Sequence, residues 1–245
     1  CSSAGAAFLS ADMDKLKSEF ERKIQVVRIE AVSADGNHLL VSDDRARRSL
    51  NKTLLGVDIP ELKAHVIDDA FFWESSLSSD SVVYVRGRLS PLRSIQLVLS
   101  DFTGTGKKML SEDSFFKLFH PTWSICGNYL GIINRPDGIF ETEQYVAVAD
   151  AKGNYVEKYK FPVLESADAI FPIGWDNQTC FYFNRFIKKR DRSISTLWRL
   201  VPGNKIPERV HLFENAVLFT VPSFSPNGKW LLCKKTVGID KTELW

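Results

Sequence analysis

The chain has 245 residues, with 32 Lys and Arg against 30 Asp and Glu, a formal net charge of +2 and a charged fraction of 25%. That balance excludes a strongly basic nucleic-acid-binding tail and an acidic disordered protein, so no nucleic-acid partner is expected. With 44% hydrophobic and 12% aromatic residues and no apolar run of about 18 residues, the chain reads as a folded globular protein without a transmembrane helix.

Cys1 and the small residues after it, Ser2-Ser3-Ala4-Gly5-Ala6-Ala7, resemble the start of a mature bacterial lipoprotein. The resemblance implies lipid attachment at Cys1, a periplasmic or cell-envelope location, and membrane contact through that lipid alone. The alternative is that the chain is simply cut there. Residues 1–23 are expected to form a tether and a helix. Ser10 caps a helix predicted over 11–23, in which Met13, Leu16 and Phe20 make one apolar stripe. Residues 24–31 then read as a strand. Cys126, Cys180 and Cys233 form no CxxC pair and no zinc-module spacing, which predicts three buried free thiols.

Residues 24–245 are expected to form one repeat domain, in which the chain repeats itself from about residue 30 onward. The clearest copies are Val32-Ser33-Ala34-Asp35-Gly36-Asn37-His38-Leu39-Leu40, then Trp123 to Gly131, then Phe224-Ser225-Pro226-Asn227-Gly228-Lys229-Trp230-Leu231-Leu232. Weaker copies start at Trp73 and Trp175. The starts at 32, 73, 123, 175 and 224 lie 41, 50, 52 and 49 residues apart, a period near 48. A strand-like run begins 22 residues after each of the first four starts, at Leu54, Ile95, Tyr145 and Leu197. The Asp-Gly and Asn-Gly pairs offer the positive φ that a tight hairpin needs. The runs after them, such as Val82-Val83-Tyr84-Val85 and Phe181-Tyr182-Phe183, are continuously apolar, so both faces must be covered. A four-stranded antiparallel sheet of this length, sandwiched between copies of itself, is a β-propeller blade, and the fold class is all-β.

Phe224 to Leu231 resembles the WD40-like repeat of TolB-type propellers, whose blades carry a signature close to Phe-Ser-Pro-Asp-Gly-Lys-Trp-Leu; Asn227 stands here for the Asp. The same repeat occurs in the propellers of prolyl oligopeptidase relatives and of oligogalacturonate lyases. The fifth repeat stops early, which predicts either truncation of a six- to eight-bladed protein or closure of a five-bladed ring by the strand at 24–31.

In such blades the loops joining second and third strands share one face with the links between blades. Those loops are basic: Arg45, Arg47 and Arg48; Arg86, Arg88 and Arg93; Arg135; Lys188, Lys189, Arg190 and Arg192; Lys234, Lys235 and Lys241. The links are acidic, with Asp68, Asp69, Glu112, Asp113, Glu165, Asp168 and Glu214. The expectation is a basic rim centred on Arg45, Arg47, Arg48, Arg86, Arg88, Lys188, Lys189, Arg190 and Arg192, around a channel mouth ringed by Asp68, Asp69, Asp113 and Asp168. The competing reading is that these charges only solvate loops. Trp73, Trp123 and Trp175 share one repeat position and are expected between blades. His38 is expected in the core.

No Gly-x-Ser-x-Gly elbow or HExxH pair occurs, and Asp101-Phe102-Thr103-Gly104 and Gly104-Thr105-Gly106-Lys107 lack the companions of kinase and phosphate-loop motifs. Catalytic residues, metal ligands and cofactors are therefore not expected. The reading is a non-catalytic scaffold that binds a protein or peptide partner, preferably an anionic one, at its loop-rich face. The alternative is the propeller of a prolyl oligopeptidase-like peptidase or of a metal-dependent sugar lyase.

Overall fold

Tight turns set the architecture. The backbone N–H of Ser33, Ser76, Ser124, Asp176 and Ser225 donates to the carbonyl of His38, Ser81, Tyr129, Cys180 and Trp230, at 2.9, 2.9, 2.8, 3.1 and 2.8 Å. Each bond closes a hairpin between the first and second strand of a unit. Gly36 and Gly127 hold φ of +74° and +69° in two of these turns, a region that a side chain enters only under strain.

The computed structural model describes residues 27–33, 35–43, 52–70, 72–76, 80–88, 94–111, 114–115, 117–136, 143–164, 168–177, 179–189, 193–214, 217–225, 229–237 and 241–244. The helix predicted over 11–23 lies outside them. Among the described residues no helix is long and apolar enough to cross a membrane.

The described chain is a succession of antiparallel sheets, each ordered as in sequence. The first holds β1 (Val27–Val32), β2 (His38–Asp43), β3 (Lys52–Asp58) and β4 (Lys63–Ala70). The second holds β5 (Phe72–Ser75), β6 (Ser81–Arg88), β7 (Ser94–Asp101) and β8 (Lys108–Met109), with β9 (Ser114–Phe115) pairing β7. The third runs β10 (Lys117–Trp123), β11 (Tyr129–Pro136), β12 (Glu143–Asp150), β13 (Tyr155–Pro162); the fourth β14 (Asp168–Trp175), β15 (Phe181–Lys188), β16 (Ser193–Leu200), β17 (Glu208–Glu214). The fifth has β18 (Val217–Phe224), β19 (Leu231–Val237) and β20 (Lys241–Leu244). Leu54, Ile95, Tyr145 and Leu197 all fall within third strands.

First strands of successive sheets touch: β5 meets β10, β10 meets β14, and β14 meets β18. They therefore converge on an axis, with fourth strands at the perimeter, which is the geometry of a β-propeller. Period-2 alternation covers both faces of each sheet. Leu130 and Ile132 of β11 pack against Val83, Val85 and Leu97 of the second sheet, while Ile133 packs against Phe181 and Phe183 of the fourth. Leu40 and Leu54 likewise meet Val82, Tyr84 and Phe102, and Leu231 meets Leu197 and Phe213. On the outward face of the fifth sheet Trp230 is 75% and Leu232 53% exposed.

The hairpin bonds correct one repeat alignment. Trp123, Trp175 and Phe224 each precede a turn-closing residue, and the equivalent in the second sheet is Ser75 rather than Trp73. Trp73 sits two places earlier, paired with Tyr84. The turn-closing positions 33, 76, 124, 176 and 225 are thus 43, 48, 52 and 49 residues apart. The repeat is set by the backbone bond that closes each hairpin, not by the position of the indole.

Two expectations of burial also change. Cys180 is buried but Cys126 is exposed, because it occupies the turn position that Asp35 fills in the first sheet. The side chain of Cys233 is outside the described set. His38 is half-buried rather than a core residue, its ring nitrogens 3.9 Å from Asp35 Oδ1 and 4.0 Å from Asp58 Oδ2, since it opens β2 beside the hairpin.

Candidate functional site

The loop-rich face is built around two arginines that the repeat places alike. Arg86 and Arg185 lie five residues after the turn-closing carbonyls of Ser81 and Cys180. Arg86 Nη1 donates to Asp68 Oδ2 at 3.0 Å, and Tyr84 Oη donates to the same oxygen at 3.1 Å. Arg86 Nε meanwhile donates to Gln96 Oε1 at 2.7 Å, and Lys107 Nζ stands 3.6 Å from Asp68 Oδ2. Burial alone would raise the Asp68 carboxyl, but Arg86, the Asp69 N–H, Tyr84 and Lys107 together hold it below the usual range.

Asp168 is held more completely. Its side chain has 0% exposure. Oδ1 accepts from Gln144 Nε2 at 2.9 Å and Arg185 Nε at 3.0 Å; Oδ2 accepts from Arg185 Nη2 at 2.6 Å and the Leu164 N–H at 2.9 Å. Arg185 Nη2 also donates to the Pro162 carbonyl at 2.6 Å, and its guanidinium lies 5.1 Å from the centre of the Phe161 ring. A fork-to-carboxylate contact of this kind is the strong form of ion pair. Because Gln144 and Pro162 belong to the third sheet, the network crosses to the fourth.

Of the residues expected at the channel mouth, Asp68 and Asp168 therefore carry charges already committed to arginines. Asp69 Oδ1 accepts the Thr53 hydroxyl at 2.7 Å. Asp113 lies outside the described residues. Of the expected rim, Lys188 and Lys189 are exposed at the end of β15, whereas Arg86 turns inward to Asp68. Arg88 ends β6 with its side chain undescribed, and Arg45, Arg47, Arg48, Arg190, Arg192 and Cys1 lie outside the described residues. Arg185 was missed by sequence reasoning; its shared position with Arg86, once the hairpins are aligned, is the signal that finds it.

The opposite face carries the hairpin turns. Asp35 Oδ1 accepts the Ser33 hydroxyl at 2.5 Å and the Asn37 N–H at 2.9 Å, which lowers its carboxyl to about 2. Cys126 takes the same place in the third sheet, with Ser124 Oγ 3.5 Å from its sulfur. Partial burial would raise this thiol, yet the Ser124 hydroxyl and the Asn128 N–H bring it below its ordinary value.

Between blades, Trp123 Nε1 donates to the Glu74 carbonyl at 3.2 Å and Trp175 Nε1 to the Thr122 carbonyl at 2.8 Å. Among the described residues no group of three His, Cys, Asp or Glu side chains is placed to hold a metal ion.

No protein-family model matches the chain, and no curated protein matches it in sequence. Solved structures do. The β-propeller domain of the trilobed protease from Pyrococcus furiosus, described as having an open velcro topology, aligns at 11% identity and TM-score 0.59, over 89% of this chain and 68% of that one. The acylaminoacyl peptidase of Pyrococcus horikoshii aligns at 10% identity and TM-score 0.55, over 90% and 38%. An oligogalacturonate lyase from Vibrio parahaemolyticus aligns at 13% identity and TM-score 0.51, over 86% and 57%. The chain thus spans well under two thirds of the two enzymes, and what it shares with all three is the β-propeller fold.

Proposed function

We propose that the protein is a non-catalytic β-propeller scaffold of the bacterial cell envelope, tethered through Cys1, that binds an anionic protein or peptide at its second-to-third-strand loops. The observation that supports this reading is the division of charge on that face. Asp68 and Asp168 are neutralised by Arg86 and Arg185, while Lys188 and Lys189 extend into solvent. The carboxylates left to attract a cation are fewer than the sequence count suggests, and the free lysines can engage an acidic partner. Affiliation with TolB-type repeats rests on the Phe224–Leu231 signature.

The test replaces Lys188, Lys189, Arg190 and Arg192 with Glu. In pull-downs from envelope extracts, and in binding assays on the protein recovered, affinity is expected to fall by about tenfold or more, with a shallower salt dependence. Unchanged binding would leave only solvated loops. A second reading, that the propeller serves a peptidase, is favoured by the likeness to two peptidase propellers. Capture of a hydrolase whose activity depends on this chain would support it.

A further inference from the structure

The two end faces of the succession of sheets differ. The first sheet gives one face to the second, with Leu40 and Leu54 against Val82 and Tyr84 and β4 against β6. The side chains that alternate with these point the other way, and there Leu39, Val41, Leu55 and Val57 are between 0 and 9% exposed. Among the described residues their cluster holds only neighbours in the first sheet and Ile59. Burial this deep requires a cover. Trp230 and Leu232 on the outward side of the fifth sheet are exposed and are not that cover.

The buried strip is narrow. Ile29 of β1 pairs with Val41, and Val66 of β4 pairs with Leu55, so both point to the same outward side, yet they are 42% and 65% exposed. The cover therefore follows the two central strands, β2 and β3, and stops short of β4 and of Ile29. A packed sheet shields the perimeter as well, as the second sheet does on the inner face, where Ile67 of β4 is 2% exposed. A single α-helix has the width required, about 10 Å over two strands about 5 Å apart.

The segment before β1, outside the described residues, has the matching pattern. Met13, Leu16 and Phe20 recur at helical spacing on an otherwise charged background. A helix over 11–23 is about 20 Å long, and the six residues of β2 also span about 20 Å. Residues 24–26 are all that separate it from Val27, the start of β1, which lies beside β2. The stretch 44–51 fits less well. It brings Arg45, Arg47 and Arg48 with only Ala46 and Leu50 as apolar side chains, and it leaves from Asp43, about 13 Å along β2 from buried Leu39.

We propose that residues 11–23 form an amphipathic helix laid along β2 and β3 on the outward face of the first sheet, with Met13, Leu16 and Phe20 over Leu39, Val41, Leu55 and Val57. The helix is a cap: the terminal unit in a row of stacked sheets needs an outer layer that is apolar inside and charged outside. A blade seated on the same face, which closing the ring through the first sheet requires, competes with it for that strip.

The test uses the full chain. In the double variant Leu16→Glu with Phe20→Glu, hydrogen exchange by mass spectrometry is expected to show protection of β2 and β3 falling about tenfold or more relative to β15. Lys15→Glu, on the charged side of the helix at about 100° per residue, is expected to leave it unchanged. A second measurement needs no destabilised protein: p-benzoylphenylalanine in place of Leu16, photolysed in dilute solution, is expected to cross-link within the same chain to peptides covering β2 or β3. Unchanged protection of β2 and β3 in the double variant, or cross-links confined to other sheets or to other chains, would overturn the proposal.

Discussion

Asp168 makes the clearest case for stabilisation by one residue. Its carboxylate is removed from water and receives N–H groups from Arg185, Gln144 and Leu164. Such a group is costly to bury, and the cost is offset only while every partner remains. Asp168→Asn keeps the shape but leaves the Arg185 guanidinium, 11% exposed, without its counter-charge. We expect a loss of about 3–5 kcal/mol in urea-unfolding stability. A loss below about 1 kcal/mol would mean that water takes over the role of the carboxylate. Asp68 shares its pair with more solvent and with Lys107. Its depressed titration adds stability that is present above the ordinary carboxylate range and fades as pH falls below about 4.

At the scale of elements, the packing of one sheet on the next depends on close approach at a few points. A Cβ on Gly131 would lie 2.6 Å from the Phe181 ring, so Gly131→Ala must displace a fully buried aromatic. The expected cost is about 1–3 kcal/mol, seen as a lowered unfolding midpoint with an unchanged denaturant slope. Much of this level was legible beforehand. Asp35-Gly36 announces a hairpin because positive φ restricts residue choice, and the second strands announce two-sided burial because they lack polar alternation. The Asp168–Arg185 pair was not legible: its members are 17 residues apart on neighbouring strands, and the contact depends on strand register, which composition does not encode. The misplaced Trp73 has the same origin. A side chain marked the repeat in the sequence, whereas the turn bond from Ser76 to Ser81 marks it in space. The basic loops were legible as composition, but Arg86 shows that a cation in the right segment can still point into a seam.

At the scale of the molecule, each sheet lends a face to the next, Leu130 and Ile132 packing against Val83 and Val85 on one side of the third sheet and Ile133 against Phe181 and Phe183 on the other. The indole ties of Trp123 and Trp175 carry a different implication for the whole assembly. Each ends on a main-chain oxygen, of Glu74 in one case and Thr122 in the other, and that oxygen is common to all twenty amino acids. Selection on one partner's chemistry is thereby relaxed: a mutation at the receiving site leaves the acceptor intact. Units fastened in this way can drift apart in composition over many generations and still dock, so ancestry written in letters erodes sooner than ancestry written in shape.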